Sequence, residues 1–481
     1  MQPGKAQLLK TLMDAAVRGE LTKEQAQKLY KLGPEVVTLA LLAASKRIAE
    51  QNVQLGKLQT PANDQSPSPA TPSGMVPVYA KPNKRKRNKK PGARNGHKGK
   101  RRTQPTRIDH QQEHRLECCP YCSGPLQRCQ RQRTRITEDI PEQMAPEVTE
   151  HIIHRDYCPH CKKHVEPVVP DAMPNAALGH QVISLTSWLH YGLGITIDQI
   201  VDILSYHLQT KLTPGGLVNA WQRLTEVLAD WYEQIAVQAK QSSYLHADET
   251  GWRVNGQTYW LWCFANDRNC YYMIDRSRGS PALLKFFTET FDGVLITDFW
   301  AAYNSVDVRD RQYCLVHLLR ELEKVEQSNH SSEWQSFAKR LRRLLRDGMR
   351  LANRSALPPD QYQHRCDRLN HRLATLSNSD YADTDTRRIA KRLCRYQEYI
   401  FAFLDYPEVS CNNNFAERQI RPAVILRKNS QSNRSSRGAA TQAILMSVYR
   451  TLRLRGHHPT KTIADALKTY LTTGQLPPLP N

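Results

Sequence analysis

Three acidic residues stand where their surroundings make them chemically interesting. Asp248 lies in Leu-His-Ala-Asp-Glu-Thr-Gly-Trp, Asp298 in Gly-Val-Leu-Ile-Thr-Asp-Phe-Trp-Ala-Ala-Tyr, and Glu417 in Asn-Asn-Asn-Phe-Ala-Glu-Arg-Gln-Ile-Arg-Pro. Each aspartate follows an apolar run that reads as a strand, so it is expected at the strand end, where ligands of α/β proteins bind. Glu417 reads as helical. Phosphodiester chemistry needs such a set: two Mg²⁺ ions about 3.5–4 Å apart, held by oxygen ligands, serve the attacking and leaving oxygens. Taken singly, each acid would be an ordinary surface or capping carboxylate. Their joint setting in a basic chain argues for a metal site.

Cations accompany the glutamate. Arg421 and Lys428 fall within about 40° of Glu417 on a helix, and Arg418 adjoins it. They would bind phosphates of the substrate. The simpler alternative is an exposed Glu417–Arg421 pair worth a few tenths of a kcal/mol. Pro422 should kink or end this helix near Arg421. Glu249 is expected on the opposite strand face from Asp248 and is not read as a ligand. A His246–Asp248 metal pair is the weaker alternative, and Cys314 with His317 reads as a core cysteine and a histidine near the site.

A second motif is Cys119-Pro-Tyr-Cys122 with Cys158-Pro-His-Cys161. Two Cys-x-x-Cys knuckles supply the four thiolates of a tetrahedral structural zinc site. The long interval between them is expected to hold a hairpin over Arg135 to His154. Cys118 and Cys129 are spares, and His160 or His164 could replace one ligand. Twelve cysteines in a chain of 481 residues do not make a secreted disulfide framework. A reduced, intracellular protein is expected.

The elements that must position these residues follow from composition. Residues 1–58 read as an N-terminal helical, zipper-like segment, with a Thr22/Gln25 capping box and Leu41, Ile48 and Leu55 at heptad spacing. Residues 59–107 form a Pro/Ser linker and a basic tract that includes Lys84, Arg85, Lys86 and Arg87. Lys and Arg number 68 against 46 Asp and Glu, a net charge of +22. More than half of that excess lies between Lys81 and Arg102. A polyanion partner, nucleic acid first, suits this charge; a metabolic enzyme of neutral substrates does not. Residues 108–172 form a small β-rich zinc-binding module, and 176–240 are helical with a helix–turn–helix pattern that could read DNA. Strands at Tyr244–His246, Thr258–Phe264, Cys270–Ile274 and Val294–Thr297 read as an α/β pattern, and the chain from about Leu315 to Phe403 reads as long, helical and basic. Residues 431–481 are a C-terminal helical segment. No apolar run is long enough to span a membrane.

Together these residues resemble a transposase of the insertion-sequence-66 family. The most specific pieces are Asp248-Glu249-Thr250-Gly251-Trp252, Asp298-Phe299-Trp300-Ala301-Ala302-Tyr303-Asn304, Cys314 to His317, and Asn412 through Glu417-Arg418 to Arg427-Lys428-Asn429. The resemblance implies a multidomain α/β protein in which 241–430 is one ribonuclease-H-like catalytic core with a helical insertion at about 318–403 and catalytic acids at Asp248, Asp298 and Glu417. It also implies Mg²⁺-dependent cleavage of double-stranded DNA at element ends and joining to a target. Asp248 and Asp298 would bridge the metals and Glu417 would hold the second. A homo-oligomer on DNA, co-encoded accessory proteins and a bacterial cytoplasmic, nucleoid-associated location belong to the same expectation. Two rivals are a DNA-binding protein that has lost catalysis and a metal-dependent nuclease that cuts without joining.

Overall fold

Tyr244–Val254 is an eleven-residue strand that alternates apolar and polar residues at its two ends, Leu245 to Asp248 and Trp252 to Val254, and is followed by Asn255-Gly256. Both turn residues have positive φ, 49° and 74°, the conformation a two-residue hairpin needs. The chain returns as Gln257–Ala265 and again as Cys270–Asp275. The strand carrying Asp248 is therefore much longer than Tyr244–His246, and Asp248 lies within it, not at its end.

A computed structural model describes residues 11–16, 21–59, 105–126, 134–138, 140, 144–352 and 357–481. Lys84, Arg85, Lys86, Arg87 and the rest of the basic tract lie outside the described residues, as does Cys129. The chain divides into two compact units, Met1–Pro82 and Asn83–Asn481. The first contains helix α1 (11–16), α2 (Lys23–Lys31) and α3 (Pro34–Gln59). The Thr22–Gln25 capping box forms in both directions, and Pro34 opens α3 after Gly33 at φ 110°. Leu12, Leu29 and Ala40 make a small core, while Leu41 is exposed.

In the second unit the two-stranded ribbon β1 (Asp156–Cys158) and β2 (Lys163–Val165) closes the second cysteine knuckle. The hairpin expected over Arg135 to His154 does not form: the described residues of that interval contain no strand. Val148 and Ile152 are exposed there, so no buried face pins a strand register.

Helices α4 (His180–Ser187), α5 (Ile197–Leu208) and α6 (Pro214–Lys240) follow. The sheet comprises β3 (Tyr244–Val254), β4 (Gln257–Ala265), β5 (Cys270–Asp275), β6 (Phe291–Thr297) and β7 (Val308–Tyr313), in the order β5–β4–β3–β6–β7. The first three are antiparallel; β6 is parallel to β3 and β7 to β6. Helix α7 (Ser280–Phe286) crosses from β5 to β6. Its Leu283 and Phe286 bury one face of the sheet against Leu245, Ala247, Trp262 and Phe264.

On the other face α6 buries Trp221, Leu224, Leu228 and Trp231 with Leu445 and Val448 of α13 (Ser436–Leu454). Helix α14 (Pro459–Thr473) joins the same core through Ile463 and Leu467. The inward stripe of α6 is thus spent on the core, and the C-terminal helices belong to it. Between β7 and α12 (Asn414–Ser430) lie α8 (Leu315–Val325), α9 (Ser332–Ala352), α10 (Pro359–Ser377) and α11 (Thr384–Arg395). They enclose their own core around Trp334, Leu341, Leu373 and Leu393. No helix among the described residues is long and apolar enough to cross a membrane.

Candidate active site

Strand β6 pairs with β3 only along Tyr244–His246. Beyond that point one edge of β3 has no neighbouring strand, and Asp248 lies at the start of this open stretch. Helix α12 covers it. Asn413, at the head of α12, is buried and makes three cross-links: its Nδ2 donates to Ala247 O (2.7 Å), its Oδ1 meets His246 Nδ1 (2.9 Å), and its N–H reaches Cys314 Sγ (3.1 Å). Because Nδ2 is committed to a carbonyl, Oδ1 must accept and His246 must carry its proton on Nδ1. Burial lowers the His246 pKa to about 4 against the opposing pull of Asn413, so the ring is neutral. Its engagement with Asn413 leaves that nitrogen unable to ligate a metal.

Asp298 follows β6, with its Oδ1 accepting from Trp300 N–H at 2.9 Å. Asp248 Oδ1 accepts from Glu249 N–H at 3.0 Å. Glu417 lies in the first turn of α12, where its Oε1 faces Arg320 Nη1 at 3.4 Å and His317 Nε2 at 3.5 Å. The three acids, from three elements, feel one another. Burial raises the Asp248 carboxyl well above its usual range, and Glu249, Asp298 and Glu417 push it further. Burial also raises Asp298; Trp300 N–H and Arg278 oppose it and Glu417 reinforces it. Asp248 keeps some solvent-exposed surface although protein atoms crowd its carboxyl. Crowding and neighbouring negative charge both disfavour the ionised form.

Glu249, the next residue on β3, has partners of its own, although burial and the nearby Asp298 still raise its pKa. Arg278 donates to it at 2.8 and 3.1 Å and Tyr303 OH at 2.6 Å, with only 3 % of the Glu249 side chain exposed. The Arg278 guanidinium is itself sandwiched between Trp260 (4.6 Å) and Trp300 (4.4 Å). Arg278 therefore brings a fixed positive charge to Asp298. Cys314 is buried beneath the site, and His317 faces Glu417, its pKa lowered by burial against the pull of that carboxylate.

Helix α12 runs through Pro422 without ending. Pro removes one helical hydrogen bond and costs about 3 kcal/mol in a helix interior. Ala416, Ile420, Ala423 and Leu426, buried on both sides of it, offset that cost. Arg418, Arg421 and Lys428 are all exposed on this helix. Glu417 pairs with Arg320 of α8, not with Arg421.

Sequence reasoning missed Arg278 and Arg320, and it singled out Asn413 and Arg427 as motif residues without giving them a role. Arg320 follows His317 by three residues, so the helical spacing could have placed it on the same face. Arg427 donates to Thr250 Oγ1 (3.2 Å) and to Gly251 O, tying α12 to the open edge of β3. No local pattern marks Arg278.

The two cysteine knuckles share one local geometry. Ser123 and Lys162, each just after the second cysteine, have positive φ of 55° and 51°. Cys119 N–H bonds to Gly124 O at 3.0 Å, and Cys161 N–H approaches Cys158 Sγ at 3.5 Å. Neighbouring backbone N–H groups lower the pKa of Cys119 and of Cys158. Among the described residues no group of three or more His, Cys, Asp or Glu side chains is gathered so as to hold a metal ion. This applies to the four cysteines and to the three carboxylates alike.

The profile described as "Transposase IS66 family" matches residues 176–441. An uncharacterized protein of Sinorhizobium fredii, y4jD, is 23 % identical over 406 residues, spanning 74 % of this chain and 75 % of that protein. The profile begins with α4 and ends in α13, taking in the sheet, the helices between β7 and α12, and all three carboxylates. The chain belongs to the IS66 transposase family.

Proposed function

We propose that this protein is a DDE-type DNA transposase that cleaves the ends of an insertion element and joins the freed 3′-hydroxyl to target DNA. The observation that carries the reading is the placement of Asp248 on β3, Asp298 just after β6 and Glu417 in the first turn of α12 around one open strand edge, close enough that Asp298 and Glu417 both raise the Asp248 carboxyl. The five-stranded mixed sheet and the helices between β7 and α12 are compatible with, and support, a ribonuclease-H-like core with an insertion.

By type the donors suit Mg²⁺, although the three carboxylates are not drawn together around one point. Asp248 and Asp298 are held by backbone N–H groups, and Arg278, the cation nearest Asp298, is already matched by Glu249. The acids are thus short of positive charge, and all are hard oxygen donors. Asp248, Asp298 and Glu417 would hold the metal, which when bound supplies charge neutralisation at the attacking and leaving oxygens. Asn413 fixes α12 against β3 and so fixes where Glu417 can reach. Arg320 holds the Glu417 carboxylate, and the exposed Arg418, which lies over the Phe415 ring, Arg421 and Lys428 would contact phosphates. The knuckles at Cys119, Cys122, Cys158 and Cys161 would hold one structural Zn²⁺; paired turns of matching backbone geometry support this.

The test is incubation of the purified protein and Mg²⁺ with a plasmid carrying the DNA that flanks its own gene, beside Glu417→Gln. End-specific breaks and sequenced junctions with the wild type, absent from the variant, are expected. Breaks without junctions would make the protein a nuclease, and binding with neither would leave it a DNA-binding protein.

A further inference from the structure

A cavity of about 720 Å³ opens between the β3–β4 hairpin and the turn that ends α12. It lies away from the carboxylates, yet on the same strand. Gly251, on its wall, is three residues beyond Asp248, or about 10 Å at 3.3 Å per residue. That is the rise of about three nucleotides.

The wall is built. Asn433 pairs with Val254 as a short parallel bridge, donating to Arg253 O (3.2 Å) and accepting from Asn255 N–H (3.0 Å). Its side chain accepts from Trp252 Nε1 at 2.7 Å. Arg427 closes one end by its bonds to Thr250 and Gly251. Gly251 leaves the space open: a Cβ there would lie 3.7 Å from Arg427 Nη1 and 3.9 Å from Trp260 Cζ3, so any longer side chain would enter the cavity.

The lining is one-signed. Arg253, Arg427 and Arg434 face it, and no Asp or Glu does. Arg434 is exposed and its side chain has no ion-pair or hydrogen-bond partner among the described residues. Ser432 adds a buried hydroxyl that is equally unpartnered, on a residue at φ 75°. Arg253 gives one N–H to Gly256 O (2.9 Å) and Arg427 is tied to Thr250 and Gly251, so both are held in place with donors to spare, while Arg434 and the Ser432 hydroxyl are unpartnered. With the edge of Trp260 they suit a phosphate with an attached sugar. An uncharged or cationic ligand would leave the three positive charges unbalanced.

We infer that this cavity is a subsite for the backbone of the DNA strand leaving the carboxylate site, with Arg253 and Arg434 gripping a phosphodiester about three nucleotides from the reacting bond. The assignment rests on the proposal that DNA is the substrate. It makes the β3–β4 hairpin a clamp that fixes strand register for the three acids.

The test uses the full-length protein and a duplex of the gene-flanking DNA in which one phosphate at a time is replaced by a neutral methylphosphonate. For the wild type, one linkage should stand out, with binding weakened about tenfold, the size of one charge-assisted hydrogen bond. Arg253→Gln/Arg434→Gln should bind unmodified DNA more weakly and lose nothing further at that linkage. Its salt dependence should be shallower by about 0.9 in log–log slope per arginine. If the double variant melts early, either single variant carries the same comparison. Equal sensitivity of wild type and variant at every linkage would overturn the subsite while leaving DNA as the substrate. Failure of the wild type to bind DNA at all would overturn both readings.

Discussion

Asp248 is the residue on which the carboxylate site turns. With its carboxyl pKa raised by burial and by three acidic neighbours, the ionised form is the one the fold opposes. The sign follows from linkage: any stability from protonated Asp248 is present below the usual carboxylate range and lost as pH rises through the raised pKa. At neutral pH without divalent metal the residue is therefore a burden. Asp248→Asn should be more stable than the wild type by about 1–2 kcal/mol in chelator at pH 7–8. The gap should close towards pH 4, and Mg²⁺ should stabilise the wild type alone. Thermal melts across pH, with and without Mg²⁺, check this; a less stable Asp248→Asn at pH 7–8 would refute it. The residue types of the site were legible in the sequence, because an aspartate after an apolar strand run and a helical glutamate follow local patterns, although Asp248 proves to lie inside its strand and only Asp298 follows one. Glu249, expected on the opposite strand face, contacts Arg278 and Tyr303, yet its charge still acts on Asp248. Its pairing with Arg278 was illegible, since that contact joins β3 to the loop before α7.

At the scale of elements, α12 is held to β3 by few, specific contacts. Asn413 lies at the N-terminus of the helix but does not cap it with its side chain; that side chain is spent on His246 and Ala247 O. Asn413→Ala would leave a buried imidazole N–H and a buried carbonyl unmatched, at about 1–3 kcal/mol each. We expect a loss of about 2–4 kcal/mol by denaturant unfolding, and a lower apparent Mg²⁺ affinity because Glu417 is no longer fixed. An unchanged unfolding midpoint would show that water replaces both bonds. Here the sequence was only partly legible. The helix was expected, but its passage through Pro422 was not, because the apolar face that offsets the proline is recognisable only once the core it enters is known. Likewise the hairpin over Arg135 to His154 looked plausible from residue types and fails because no core receives it.

The whole molecule combines a large α/β core with a cysteine-knuckle segment whose described residues are mostly exposed. Such a segment has little apolar burial to stabilise it, which is the role a structural metal would fill. One zinc per chain is expected by elemental analysis. Chelation, or Cys119→Ser with Cys158→Ser, should make residues 105–172 sensitive to protease while the melting of the α/β core barely changes. A zinc-free protein equally resistant to protease would remove the metal from the assignment.

Several properties were determined by the sequence alone. Its basic excess points to a polyanion, its Cys-x-x-Cys pairs to knuckles, and its apolar periodicities to most of the helices and sheet strands. These are short-range properties, readable from a residue and its near neighbours. Only the tertiary structure decided that β3 has an open edge at Asp248, that α12 returns across a helical insertion to cover it, and that Arg278 and Arg427 lock its two sides. Each of those depends on which distant segments pack together, and pairing over such separations is selected by the energy of the whole core, not by local pattern.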